Sequence, residues 1–339
     1  MRQIDPDRAV SRSASSPAPL TAAVVILAAL AYPGPLITWW DALGLDVPAI
    51  SAVLTAYYLA QVMILGIFVA GWCLPGKPIM VKAGIVAASA IITTLALTAP
   101  STITNCAYYL ATAVMCGFVA IQQVGRVPLW PRGRDLPLTL VPLPLILTST
   151  GASVALATWM GIQRTPGQTT QSAAEGLVGT IARIDTYPEL LIRSLWTGVG
   201  EEVAAVLLVI ALARRRVPVV LVYLIPAIVR ASYHASYSWS AVALVILGVG
   251  MVYLWRRWER MLPLIAAHAL WDALARHYPW TLMVLVGVGL LIIVGFCARP
   301  GVRWVWLRAK SRMTTRFGRP SAERSNLDAP ASSSGQVTS

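Results

Sequence analysis

Charge is scarce in this 339-residue chain, where Asp, Glu, Lys and Arg together make up only 12% of residues. A soluble domain carries about 25%, and no single soluble core of this size buries the 57% of residues that are hydrophobic here. Acids are scarcer than bases, 14 against 27, which gives a net charge of +13. That balance does not point to nucleic acid, because the cations cluster between apolar runs and in the C-terminal tail, as they do in loops facing anionic lipid. The four cysteines, Cys73, Cys106, Cys116 and Cys297, lie in or at the end of apolar runs without CxxC spacing. This argues against a zinc–thiolate site or a disulfide framework and for small buried hydrophobes. The soluble zinc-protease motif HExxH is missing, and no internal repeat marks an inverted-repeat carrier.

What remains is an all-α, polytopic membrane helix bundle. A span needs about 20 apolar residues, and ten segments qualify: 20–40, 49–73, 83–99, 103–122, 136–160, 190–213, 217–238, 240–255, 261–276 and 279–297. The connecting stretches alternate between basic and charge-poor. Arg2, Arg8 and Arg12 precede the first run; Lys77 and Lys82, Arg126 to Arg134, Arg214 to Arg216, Arg256 to Arg260 and the tail from Arg299 fall on one side. The positive-inside rule then places about ten transmembrane helices in the cell membrane with both termini cytoplasmic. Cleavage of the first run as a signal peptide at Ala29-Leu30-Ala31 is the rival reading, but apolar character continues to Trp39 and Trp40.

Five parts follow. They are a cytoplasmic tail at 1–19, a five-helix membrane scaffold at 20–160, an extramembrane loop or interfacial helix at 161–189, a core at 190–297, and a basic, then disordered, cytoplasmic tail at 298–339.

The first five runs hold essentially no ionisable groups, while the later ones hold several, among them Glu201, Glu202, Arg230, His234, His268 and Asp272. Each costs about 2.5–3.5 kcal/mol at the bilayer centre, so their grouping on four consecutive helices suggests one shared site. Arg230 and His234 are spaced to share a helix face, as are His268 and Asp272. Glu201 and Glu202 point about 100° apart. One can enter a reaction centre while the other needs a partner elsewhere. A glutamate can activate water with a histidine holding that water, while a second histidine and its neighbour stabilise an oxyanion. Alternatively, histidines and a carboxylate can ligate zinc. A plain helix cap after Gly198 and Gly200, or an Asp272–Arg276 pair, are the structural readings of the same residues. His277, at a helix end, has no role in any of them.

Gly200-Glu201-Glu202, then His234 on the next helix, then His268-Ala-Leu-Trp-Asp272, resembles the CPBP family. These are intramembrane CAAX-processing (Abi) proteases related to the type II CAAX prenyl endopeptidase, with the pattern EExxxR, FxxxH and HxxxN or HxxxD. The resemblance covers roughly 190–297. It implies Glu201 as the water-activating base and His234 as its partner at the water. It implies His268 and Asp272 as the oxyanion-side pair and Glu202 as a supporting carboxylate. It also implies a metal-free mechanism, with zinc the alternative, despite the metalloprotease label the family often carries. Two positions depart from the pattern: Val206 stands where the motif has arginine, and Arg230 stands where it has an aromatic.

The expected function is therefore an intramembrane endopeptidase acting on a membrane-anchored peptide or protein. Its partners would be lipid and that substrate, with no nucleic acid. Arg230 is expected to pair with Glu202 and supply the charge missing at 206. The alternatives are a catalytically inactive scaffold or self-immunity protein, and a proton-coupled carrier.

Overall fold

A computed structural model describes residues 19–31, 61–99, 101–124, 135–160, 186–234, 241–275 and 278–298, with Leu129 and Gly133. The segments read as terminal tails, most of the 161–189 loop, Arg276 and His277 lie outside these residues, as does the Cys297 side chain. Among the described residues there is helix and turn but no strand. The helices are α1 (Pro19–Ala31), α2 (Gln61–Cys73, closing in a π turn from Val69), α3 (Ile79–Thr98) and α4 (Thr102–Val124). Next come α5 (Asp135–Leu140), α6 (Pro142–Trp159), α7 (Tyr187–Arg214) and α8 (Val219–Tyr233). The last three are α9 (Leu244–Trp258), α10 (Leu262–Leu274) and α11 (Pro279–Ala298).

The described part of each apolar run is largely helical, and five helices meet the length and hydropathy of a membrane crossing. These are Ile79–Thr98, Thr102–Val124, Asp135–Trp159, Tyr187–Arg214 and Ala241–Trp258. The others are shorter apolar helices of 10–17 residues, among them Val219–Ser232 and Leu262–Leu274. The helix of the seventh run therefore stops well short of the length the hydropathy pattern suggested, whereas that of the ninth, already short in the sequence, nearly fills its run. Pro226 inside α8 removes one backbone donor, and α8 ends soon after it.

Helix α7 is the axis of the bundle. It packs against α1, α4, α8, α9 and α10, and two-thirds of its apolar window is buried, against 17% for the peripheral α3. Ala22, Ala23, Ile26 and Ala29 of α1 recur at helical spacing and share one core with Val203, Ala204 and Leu207 of α7. In lipid, such contacts rest on close packing rather than on expulsion of water, which favours small residues at helix crossings. Gly198 is the clearest case. A β-carbon there would sit 2.8 Å from the Ile265 carbonyl oxygen and 3.2 Å from the Ala269 nitrogen, so α10 lies directly on the α7 backbone. Gly248 does the same for α9, where a β-carbon would sit 2.4 Å from Ala227 Cα of α8.

By compactness the chain divides into residues 1–290 and 291–339. Everything that follows concerns the first unit. Cys73, Cys106 and Cys116 are free thiols, the first and last of them buried.

Candidate active site

Local sequence sets each element of the site. Pro188 stands in the first turn of α7 and Pro263 in that of α10, where a missing N–H costs nothing. The Val/Ala/Leu run after Glu202 buries the second half of α7. The helix runs without interruption from Tyr187 to Arg214, so Gly198 and Gly200 do not break it and the two glutamates cap nothing. The glycines instead admit α10. Its His268 then lies beside Glu202, while the short turn after Arg214 folds α8 back so that Arg230 reaches the same point.

Glu202 is the anchor. Its Oε1 lies 2.6 Å from Arg230 Nη2 and 3.0 Å from His268 Nδ1. A carboxylate paired with guanidinium only accepts, so His268 carries its proton on Nδ1 and donates it to Glu202. The 3.0 Å separation of Arg230 Nη2 and His268 Nδ1 follows from two donors sharing one oxygen. With Nδ1 committed, Nε2 is directed at the other two acids, 3.9 Å from Glu201 Oε2 and 3.7 Å from Asp272 Oδ2. Arg230 Nη2 is also 3.8 Å from Glu201 Oε2.

The sequence geometry set the two glutamates on separate targets. In the structure they instead meet the same imidazole, one at each ring nitrogen. Glu201 Oε2 is buried and, among the described residues, accepts no hydrogen bond. His234 ends α8 one turn beyond Arg230, half-buried, within electrostatic reach of Glu201, Arg230 and His268.

On the far side, Glu202 and Arg230 border a narrow apolar cavity with Val206, Val209, Pro226, Met251, Trp255 and Leu264. Arg230 Nε and Nη1 are buried there without acceptors. Position 206 and Arg230 thus approach Glu202 from the same side. No three His, Cys, Asp or Glu side chains are grouped to hold a metal among the described residues, and the guanidinium beside both glutamates opposes a dication.

Residues 183–274 match the family of type II CAAX prenyl endopeptidase Rce1-like proteins. The match is a similarity to CAAX-type membrane proteases over about a quarter of the chain, and with the apolar helices it points to a membrane protein. The Rce1-like segment comprises α7 to α10, the helices that carry all six charged or histidine side chains of the site, and it leaves α11 outside. It accords with the CPBP resemblance carried by the double glutamate and the two histidine motifs. No curated protein and no solved structure matches the chain.

Two buried polar contacts were not legible in the sequence. Arg260, which reads as a loop cation, is buried against Asp135 of α5, with Nε donating to Oδ1 at 3.2 Å and Nη2 to Oδ2. Glu259 just before it turns the chain in the left-handed region at φ 52°. Glu189, which reads as the end of a loop, is fully buried in the first turn of α7, where it accepts from Asn105 Nδ2 at 2.9 Å. The signal for Glu189 was present: an acid in a first helical turn is favoured by the helix dipole.

Proposed function

We propose that this chain is an intramembrane endopeptidase that hydrolyses a peptide bond of a membrane-associated substrate with water activated by Glu201. The observation that carries this reading is Glu201 Oε2, a buried carboxylate oxygen with unused acceptor capacity beside an imidazole and a guanidinium. Such an oxygen suits taking a proton from water. The gaps of 3.9 Å to His268 and 3.7 Å between His268 and Asp272 are too long for direct hydrogen bonds and of the size that a reacting group bridges. In this reading His234 holds the water. His268, protonated on both ring nitrogens and fixed by Glu202, donates from Nε2 to the oxyanion as the carbonyl becomes tetrahedral, and Asp272 contributes there as the neutral acid, its hydroxyl donating. The proton held by Glu201 then goes to the leaving amine.

Arg230 takes the role that the family pattern gives to an arginine at position 206, so Val206 need not signal an inactive relative. Ten apolar helices crossing the cell membrane with both termini cytoplasmic complete the proposal, with lipid and a membrane-anchored peptide as partners. Purified protein is expected to cleave a membrane-anchored reporter peptide, and to do so in excess chelator. Zinc that is lost and restored together with activity would replace this mechanism with the metal one. Absence of cleavage across a broad panel of membrane-anchored peptides would favour the scaffold.

A further inference from the structure

We infer that the catalytic cluster opens at the end of the bundle opposite its arginine-rich turns, so that the peptide is presented from the arginine-poor, extracytoplasmic side. This rests on the endopeptidase reading and adds to it the face from which the substrate comes. The exposure of the side chains rises in one direction through the cluster: Glu202 1%, Arg230 4%, His268 10%, Glu201 13% and Asp272 31%. The Glu202–Arg230 pair is the sealed back and Asp272 the mouth.

Both helices that carry the carboxylates show the same gradient. On α10, Pro263, Leu264, Ile265 and Ala267 are buried, whereas Ala269 to Asp272 are half-buried. On α7, the half-buried positions Leu190, Arg193, Thr197, Glu201 and Ala205 recur every three or four residues and form a stripe that passes the site. Val206 to Val209, beyond it, are buried.

The two helices are antiparallel. Leu264 shares a cavity with Val206 and Val209, His268 meets Glu202, and Asp272 lies within electrostatic reach of Arg193. The mouth is therefore at the start of α7 and the end of α10. The helices also end there. α8 and α10 have 15 and 13 residues, about 22 and 20 Å at 1.5 Å per residue, against a hydrocarbon core of about 30 Å. α8 ends one turn after Arg230 and α10 just after Asp272, so Asp272 lies near a helix end, on the same side of the cluster as the half-buried Arg193 and Thr197. The opposite end carries Arg214, Arg215, Arg216, Arg256 and Arg257, the composition of a cytoplasmic face.

Single cysteines test this in the full chain within sealed membrane vesicles, in a background lacking the four native cysteines. Thr197→Cys lies on the half-buried stripe one turn before Glu201 and Arg215→Cys marks the arginine-rich face. A membrane-impermeant maleimide is expected to label Thr197→Cys at least tenfold faster from the face opposite to the one that labels Arg215→Cys. Labelling from the Arg215 face, or from neither face, overturns the inference. Mapping the modified peptide in the otherwise native chain gives the same readout should the cysteine-free protein misfold. Labelling needs no cleavage, so failure of the endopeptidase reading would leave this outcome intact and distinguishable.

Discussion

Two buried arginine–carboxylate pairs flank the beginning of α10, and they are built differently. Arg260 meets Asp135 with two nitrogens on two oxygens, a closed fork in which each partner engages the other side-on. Arg230 commits one nitrogen to Glu202, leaves Nε and Nη1 without acceptors, and has a second carboxylate and an imidazole within 3.8 Å of that same nitrogen. A pair that serves only to join elements satisfies its own hydrogen bonds. A cluster that keeps unused donors and acceptors in a buried place has capacity left for something else, at a cost in stability that packing elsewhere must offset. The first pair ties α5 to the turn before α10, and the second assembles α7, α8 and α10 around His268.

Substitutions can break this contrast, and the largest expected effect is on chemistry. Glu201→Ala is expected to lower reporter cleavage by about 10²–10⁴-fold with membrane insertion and thermal midpoint unchanged. Adding His268→Ala should lower it little further, since groups acting as a unit are not additive. Near-normal turnover in Glu201→Ala would remove Glu201 from the reaction centre.

Next comes Arg230→Met, which strands Glu202 and is expected to cost about 3–5 kcal/mol along with cleavage. Because Val206 borders the same cavity one turn after Glu202, Val206→Arg in that background should restore part of both, read as thermal midpoint and as turnover. A silent Arg230→Met would make the second pair no more than an accident of packing.

Arg260→Met should destabilise by a similar amount yet leave turnover per folded molecule unchanged, the sharpest separation of the two pairs. A fall in turnover at constant folded fraction would extend the site to α5. The smallest effect is expected at Gly198→Ala. The added β-carbon, 2.8 Å from the Ile265 carbonyl, should push α10 outward for about 1–3 kcal/mol, seen as a lower thermal midpoint. An unchanged midpoint would show that α10 does not rest on the α7 backbone.

Helix placement was legible because lipid enforces it: the described parts of the apolar runs are largely helical, and the placement of Arg230 and Glu202 on consecutive runs pointed to the ion pair that the structure shows at 2.6 Å. The length of α8 was not legible, because hydropathy continues past the point where the helix ends, seven residues after Pro226, whereas the shortness of α10 was visible in its run. The convergence of Glu201 on His268 was also hidden. A helical wheel separates adjacent residues by angle, but it says nothing of an imidazole presenting a nitrogen to each. Arg260 and Glu189 misled for a related reason, since charges near run ends read as solvated until a partner from a distant helix is known. The stripe Arg193–Thr197–Glu201 was present in the spacing, and only burial gave it meaning.

The pairing of Glu202 with Arg230 also bears on how the protein is made. Translation delivers α7 before α8, so two glutamates reach the membrane ahead of Arg230, the cation that pairs with Glu202, each disfavoured by about 2.5–3.5 kcal/mol at the bilayer centre. α1 and α4, which precede α7 and pack against it, offer those acids an apolar surface and no charge. The smallest unit in which Glu202 enters lipid with its partner is the hairpin of α7 and α8 joined by Arg214–Val217. The ion pair at the back of the site thereby makes two helices one step of membrane insertion.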